Sequence, residues 1–502
     1  MHRRIIAPGV LAAATLLLAI PASAASFTPG APGIGDPYYP ASGNGGYDVS
    51  HYDLRLKYQP GTDLLEGTAT LVATATQDLS RFNLDLGLAV SEVRVNGKKA
   101  KFAKEGEQEL VVTPVTPLQK GKAVSVVVKY AGKPSEVKIG GYTAWARTPD
   151  GGVAAQEPDS AAWWFPSNDH PLDKATYDVS VSVPDGHQAI SNGVLQSQSS
   201  KLGWTRFAWR SNKPQASYLA TLAVGKFDIT TDRTESGLPV LNAYSKDLGD
   251  NDGAARASVE RSAEVVEWLE GVYGPYPFNA IGGYVPNVTS GFALETQTRP
   301  FYSPKQFANG ANVSVVVHEL AHQWYGDSVS VHHWKDIWVN EGFARYSQWL
   351  WSEKEGEGTA QELADYTYAS YAADNPFWQV KPGDPGADKQ FDIAVYDRGA
   401  LAIQALRNEV GDDAFFQILR GWPKQYAYGN AKVSDFVKYA EKVSKKPLAE
   451  LFDTWLYEPA KPAAPAAAGS KIARSYTAGA EAAPVRPKSW KKIAETNTIH
   501  DH

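Results

Sequence analysis

The chain has 502 residues, 43% apolar and 21% charged, and carries a formal net charge of −6. It is too long for one hydrophobic core, too ordinary in composition for a disordered or fibrous protein, and too nearly neutral to suggest nucleic acid as a partner. It contains no cysteine, which excludes disulfides and thiolate metal ligands and leaves histidine and carboxylate as the strong ligands.

The N-terminus reads as an export signal. Arg3 and Arg4 form a basic start, an apolar run extends from Val10 to Ile20, and Ala22-Ser23-Ala24 is a small-residue cleavage site. The mature chain is expected to begin near Ala25 and to be secreted. Residues 25–46, rich in Gly, Pro, Ala and Ser, read as a flexible lead-in. From Tyr47 the pattern has period two. Tyr52, Leu54, Leu56 and Tyr58 alternate with polar residues, as do Tyr177, Val179, Val181 and Val183. Asn96-Gly97 between short apolar runs predicts a hairpin. Residues 47–235 are therefore expected to form an all-β sandwich.

Near residue 250 the period becomes helical. One helix is expected over 251–273, with Val259, Ala263, Val266 and Leu269 on its buried face. Others are expected through 318–322, from Asn340, over 400–410 and over 433–443. Residues 236–459 thus read as a mainly helical domain with a few strands. Residues 460–502 read as a disordered tail. No later stretch has the 18 apolar residues that a membrane span requires.

The chemistry concentrates in His318-Glu319-Leu320-Ala321-His322. On a helix, residues four apart share a face at roughly 5–6 Å between Cβ atoms, so both imidazoles can converge on one ion. Zinc commonly takes His, His and a carboxylate when a position must stay open for water. Glu341, separated from His322 by eighteen residues, can supply that carboxylate from a second helix, with Asn340 as its cap and Gly326-Asp327 turning the chain between the two. Glu319, beside the first ligand, is the expected general base. Val315 to Val317 before the motif, and Trp324 and Tyr325 after it, imply that the helix is buried.

The motif and its surroundings resemble the gluzincin aminopeptidases, peptidase family M1. The resembling segments are His318 to Gly326, Trp338-Val-Asn-Glu-Gly-Phe-Ala344, Gly291-Phe-Ala-Leu-Glu295 and Tyr396-Asp-Arg-Gly399. Gln156-Glu157, Phe165 to Pro171 and Ser191-Asn-Gly193 fit in the β-domain. The resemblance covers roughly residues 47–459. It implies a β-sandwich followed by a thermolysin-like catalytic domain, in a short form without the large C-terminal helical domain of many members. It implies one zinc on His318, His322 and Glu341, Glu319 as base, and Tyr396 donating to the oxyanion. It also implies that Glu295 and Glu157 bind the substrate's free α-ammonium, so that the substrates are peptides with a free N-terminus. Phe292, Thr296, Ala162, Gln348 and Arg398 depart from the family pattern, which bears on specificity, as Phe292 beside the substrate strand would. An endopeptidase of the same fold and a non-catalytic binding relative remain alternative readings.

Overall fold

The computed structural model describes residues 26–288, 290–464 and 484–497. The expected signal peptide lies outside them. An eight-stranded sheet forms the back of the N-terminal part. Its order is Val194–Lys201, Trp204–Gln215, Ala175–Pro184, Tyr47–Gln59, Leu64–Ala75, Ala123–Gly132, Ala89–Val95 and Lys98–Lys99. The period-two residues pair as their spacing implies: Tyr52 lies opposite Tyr177, Leu54 opposite Val179 and Leu56 opposite Val181, all buried. Asn96 and Gly97 both have positive φ, 49° and 76°, as a type I′ hairpin turn requires. Two four-stranded sheets pack over this sheet and share its apolar core, with Phe82, Leu84 and Val112 from one and Val153, Ile190 and Leu222 from the other.

A five-stranded sheet joins this β-rich part to the helices. Its order is Phe227–Arg233, Pro239–Ser245, Ile281–Val285, Phe301–Tyr302 and, at the edge, Ala293–Leu294. Phe227–Arg233 pairs along its whole length with Pro239–Ser245, so a boundary at 235/236 falls in the turn of a hairpin inside one sheet.

Ten helices are assigned among the described residues: α1 (Asp252–Val259), α2 (Ser262–Tyr273), α3 (Val313–Ala321), α4 (Trp338–Glu355), α5 (Ala360–Ser370), α6 (Ile393–Val410), α7 (Asp412–Gln425), α8 (Val433–Ser444), α9 (Ala449–Leu456) and α10 (Trp490–Asn497). Their core is dense in aromatic residues, with Trp324, Trp338, Trp349 and Trp422 all buried. Among the described residues, no helix is long and apolar enough to cross a membrane.

Four expectations need correction. Residues 28–46 are not flexible. Thr28–Pro29 pairs with the strand Leu79–Asp85, and Asp36 is buried, accepting from the Trp334 backbone N–H at 2.8 Å and lying 3.0 Å from His170 Nε2. The glycines here serve close packing as well as turns: a Cβ on Gly43 (φ +63°) would meet His170 Cβ at 2.8 Å. The helix expected over 251–273 is two, α1 and α2, broken at Glu260-Arg261. Helix α4 opens at Trp338, because a 3-10 turn at Trp334–Asp336 and a helical Ile337 lead the chain in, so Asn340 lies inside the first turn and does not cap it. Finally, part of the expected disordered tail folds, as α10, against α3 and α4.

Candidate active site

Helix α3 carries His318, and His322 caps its C-terminal end. Asn312 caps the N-terminal end, its side chain accepting from Ser314 N at 3.1 Å. The run Val315 to Val317 is fully buried, so α3 lies inside the core, and His318, Glu319 and His322 are buried with it. Helix α4 packs beside α3 and brings Glu341. Glu341 Oε2 lies 3.1 Å from His318 Nε2 and 3.4 Å from His322 Nε2. One ligand atom from each of the three lies within 4.8 Å of the other two.

The outer ring nitrogens are already engaged. His318 Nδ1 faces Gln348 Oε1 at 3.3 Å, and His322 Nδ1 faces the Tyr325 carbonyl at 3.0 Å. Both partners are acceptors, so each Nδ1 donates, and a divalent metal would take the place of any proton on the two Nε2 atoms that face Glu341. The charges agree with it. Glu157, Glu295, Glu319 and Glu341 are all buried around two imidazoles, an excess of negative charge that calls for cations. Burial pushes His318 down to about 4 and keeps it neutral. Burial also works against charge on His322, but the carboxylates of Glu341 and Glu295 outweigh it and push this imidazole up. Glu341, despite its burial, is held below the usual carboxylate range by His322 and His318.

A second cluster shares His322. Single atoms of Glu295, Glu319 and His322 also lie within 4.8 Å of one another. The expected base and one expected ammonium-binding carboxylate therefore stand side by side. Burial raises Glu319 well above the usual range, with Glu295 and Glu341 adding to the effect and His322 opposing it. Burial likewise raises Glu295.

Glu295 follows directly on the edge strand Ala293–Leu294. Two residues without an assigned role in the sequence hold it. Tyr218 Oη donates to Glu295 Oε1 at 2.8 Å, and Gln323 Nε2 donates to the Glu295 carbonyl at 3.0 Å. Gln323 Oε1 also accepts from Thr298 N at 2.7 Å, so the residue after the second histidine ties this loop to α3. Gln323 was visible as part of the extended motif, whereas Tyr218, in a short turn after a β-strand, has no local signal.

Glu157 comes from the β-rich part, in the loop after Gly151–Ala154. It is 7% exposed, and its Oε1 is buried without a hydrogen-bond partner among the described residues. Burial, and then Glu295, Glu341 and Glu319, raise it well above the usual range, while His322 opposes them. A cavity of about 820 Å³ reaches Glu157, with Tyr39, Tyr142, Gln156, Gln390 and Phe391 in its wall.

Tyr396 sits in the first turn of α6, its ring stacked on His318 with centroids 6.0 Å apart. Gly399 explains the approach: a Cβ there would meet Trp338 Cδ1 at 2.5 Å, so only glycine lets α6 lie this close to the start of α4. Burial, and then Glu341, Glu157 and Glu295, push the Tyr396 phenol up and keep it protonated.

Two of the departures prove to be structural. Arg398 is fully buried and donates to the carbonyls of Trp455, Trp378, Val380, Thr454 and Glu458, clamping α6 to the end of α9. Phe292 packs its ring against Phe301, 5.3 Å between centroids, at the edge of the β-rich core.

Known proteins agree with this arrangement. Residues 49–219 match the peptidase M1 N-terminal domain, and residues 297–455 match the peptidase family M1 domain. Glutamyl aminopeptidase of Sus scrofa is 27% identical over 445 residues, covering 81% of this chain and 46% of its own length. Aminopeptidase M1-B of Oryza sativa subsp. japonica is 26% identical over 439 residues, covering 80% of this chain and 49% of its own. The chain thus spans about half the length of the curated relatives it matches. An M1 zinc metallopeptidase structure from Deinococcus radiodurans superposes with a TM-score of 0.78 at 29% identity, over 87% of this chain and all of the other. A mutant of that enzyme bound to a Tyr-Ser-Ala substrate is 30% identical, at the same TM-score and coverage. On both domains and on the histidine and glutamate ligands of its zinc-binding site, the chain belongs to peptidase family M1.

Proposed function

We propose that this protein is a secreted aminopeptidase with one zinc per chain, removing residues from peptides that carry a free N-terminus. The observation that carries the reading is Glu295, clustered with Glu319 and His322, together with Glu157, a buried carboxyl that feels the charges of Glu295 and Glu319 and has one oxygen without a hydrogen-bond partner among the described residues. Buried carboxylates are costly unless a cation arrives. A peptide's α-ammonium is such a cation, and an internal amide is not.

Zinc, when bound to His318, His322 and Glu341, supplies the Lewis acidity that lowers the pKa of water and polarises a carbonyl. The chain's own residues do the rest. Glu295 and Glu157 hold the ammonium and set the first peptide bond against the metal ligands. Glu319 takes the proton of the attacking water on its carboxylate and delivers it to the leaving nitrogen. The positive charge of the ion opposes the burial that raises this carboxyl, which favours the ionised base. Tyr396 donates its phenolic proton to the oxygen that gains charge as the carbonyl becomes tetrahedral. The Tyr-Ser-Ala bound to the Deinococcus relative supports a peptide as the substrate class. Arg3-Arg4, the apolar run and Ala22-Ser23-Ala24 support export.

The test is a product analysis with a short peptide, before and after metal removal by a chelator. The expected result is stepwise release of single N-terminal amino acids, abolished by the chelator and restored by zinc. Internal fragments as the first products would contradict it.

A further inference from the structure

Helix α10 has eight residues, too short to be stable in isolation, so its order derives from what it docks on. It docks on the back of the zinc ligands. Ile493 is buried in the helical core, and Trp490 meets Tyr366 edge-on at 4.9 Å. Ser489 Oγ lies 2.7 Å from Ser352 Oγ on α4, and Asn312 Nδ2 donates to the Lys492 carbonyl at 3.3 Å. Ser489 and Lys492 also roof a cavity of about 150 Å³ whose floor includes Gln348 and Ser314.

Gln348 is the outer partner of His318. Its Oε1 accepts from Arg345 Nη1 at 2.6 Å and faces His318 Nδ1 at 3.3 Å. The two N–H groups of its Nε2 are shared among Ser314 Oγ at 2.8 Å, the Ser314 carbonyl at 3.0 Å and Thr496 Oγ1 on α10 at 3.1 Å. These partners settle the amide's orientation: reversed, its NH₂ would face the Arg345 donor. Arg345 is itself anchored on α10, donating from Nη1 to the Ile493 carbonyl at 3.2 Å, and its Nε lies 3.0 Å from Asp397 Oδ1. Thr496 Oγ1 donates onward to the Ile493 carbonyl at 2.7 Å, which leaves its lone pair for Gln348.

We propose that the C-terminal helix is a working part of the metal site: Thr496 and the Ile493 carbonyl fix Gln348 and Arg345, and through Gln348 they fix the tautomer and ring angle of the ligand His318. Thr496 is a positioning residue. The inference rests on the zinc reading above. Orienting groups behind metal-bound histidines typically change metal affinity about 10–100-fold when lost.

Three variants test it: a chain ending at residue 483, Thr496→Val and Thr496→Ser. Zinc affinity is measured by competition with a chromophoric chelator, ligand geometry by the visible absorption of the cobalt(II) form, and folding by the melting of the metal-free protein. The shortened chain is expected to lose about 10–100-fold in zinc affinity and to show an altered cobalt spectrum. Thr496→Val is expected to lose about 3–10-fold, the worth of one hydrogen bond. Thr496→Ser, which keeps the hydroxyl, should stay within about twofold of wild type. A folded, shortened chain with wild-type zinc affinity and cobalt spectrum would overturn the proposal. If the shortened chain does not fold, the same wild-type behaviour in Thr496→Val overturns it. Wild-type protein that binds no zinc would overturn the zinc reading itself, whereas normal zinc binding that is indifferent to α10 refutes only the role given to α10.

Discussion

The two halves of the active site are built in opposite ways. The metal half comes from three neighbouring helices of one core: His318 on α3 with His322 at its C-terminal cap, Glu341 on α4 and Tyr396 on α6. The recognition half is assembled across the molecule, from Glu295 at a sheet edge, Glu157 in a β-domain loop and Tyr218 behind Glu295. Rigid helix packing suits a metal, whose ligands tolerate errors of only a few tenths of an ångström. On the proposed function, a chain end is met by carboxylates from two distant segments, Glu295 and Glu157, with the ammonium between them. The metal half should therefore govern whether a bond breaks, and the recognition half which bond.

Substitutions can break that division. Glu319→Gln should have the largest effect, lowering kcat about 10²–10⁴-fold while the zinc content is retained. Wild-type turnover in this variant would remove Glu319 from the mechanism. Tyr396→Phe follows, with a loss of about 10²–10³ in kcat and little change in KM, as expected for a donor used mainly in the transition state. Glu295→Gln and Glu157→Gln act on the other half. Each should cost about 10–150-fold in kcat/KM on free peptides, the range of a charge-assisted hydrogen bond, and leave zinc affinity nearly unchanged. Steady-state kinetics beside metal analysis separate the two classes.

The smallest effect concerns the β-rich part that carries Glu157. Asp173 accepts from Val49 N at 3.0 Å, and burial, with Asp48 adding, pushes its carboxyl up to about 8 from 3.8. A buried acid with a raised folded pKa binds its proton more tightly in the native state. Its contribution is complete below the unfolded pKa and is lost as pH rises through about 8. Asp169, which burial and then Asp159 push up to about 7, acts in the same direction. The melting temperature of the metal-free protein should fall over this window, and Asp173→Asn should flatten part of the slope. A melting temperature that rises with pH over this window would contradict the assignment.

The contrast between the halves also explains what was legible in the sequence. The metal ligands were readable there, because helical periodicity maps spacing directly onto space: His318 and His322 lie one turn apart, and the first turn of α4 presents Glu341, whereas Tyr396 took its role from the family resemblance. Strand alternation likewise placed Leu54, Val179 and Val181 in the β-core. Contacts between distant segments were not legible. Tyr218 reaches Glu295 across 77 positions, and Gln348 reaches Thr496 across 148. Composition misled at both ends. Gly and Pro in residues 28–46 make turns around the buried Asp36 and Asn44, and a tail rich in alanine and proline delivers one docked helix. The hydrogen bonds that order these segments belong to partners that composition does not see.

The central claim is that the site reads a chain end. The most direct measurement compares kcat/KM for one short peptide with its N-acetylated form, with the zinc-loaded wild-type protein. The expected result is a preference for the free amine of about 100-fold or more, the value of a desolvated charged contact at Glu295 and Glu157. Equal rates on the two peptides would contradict it.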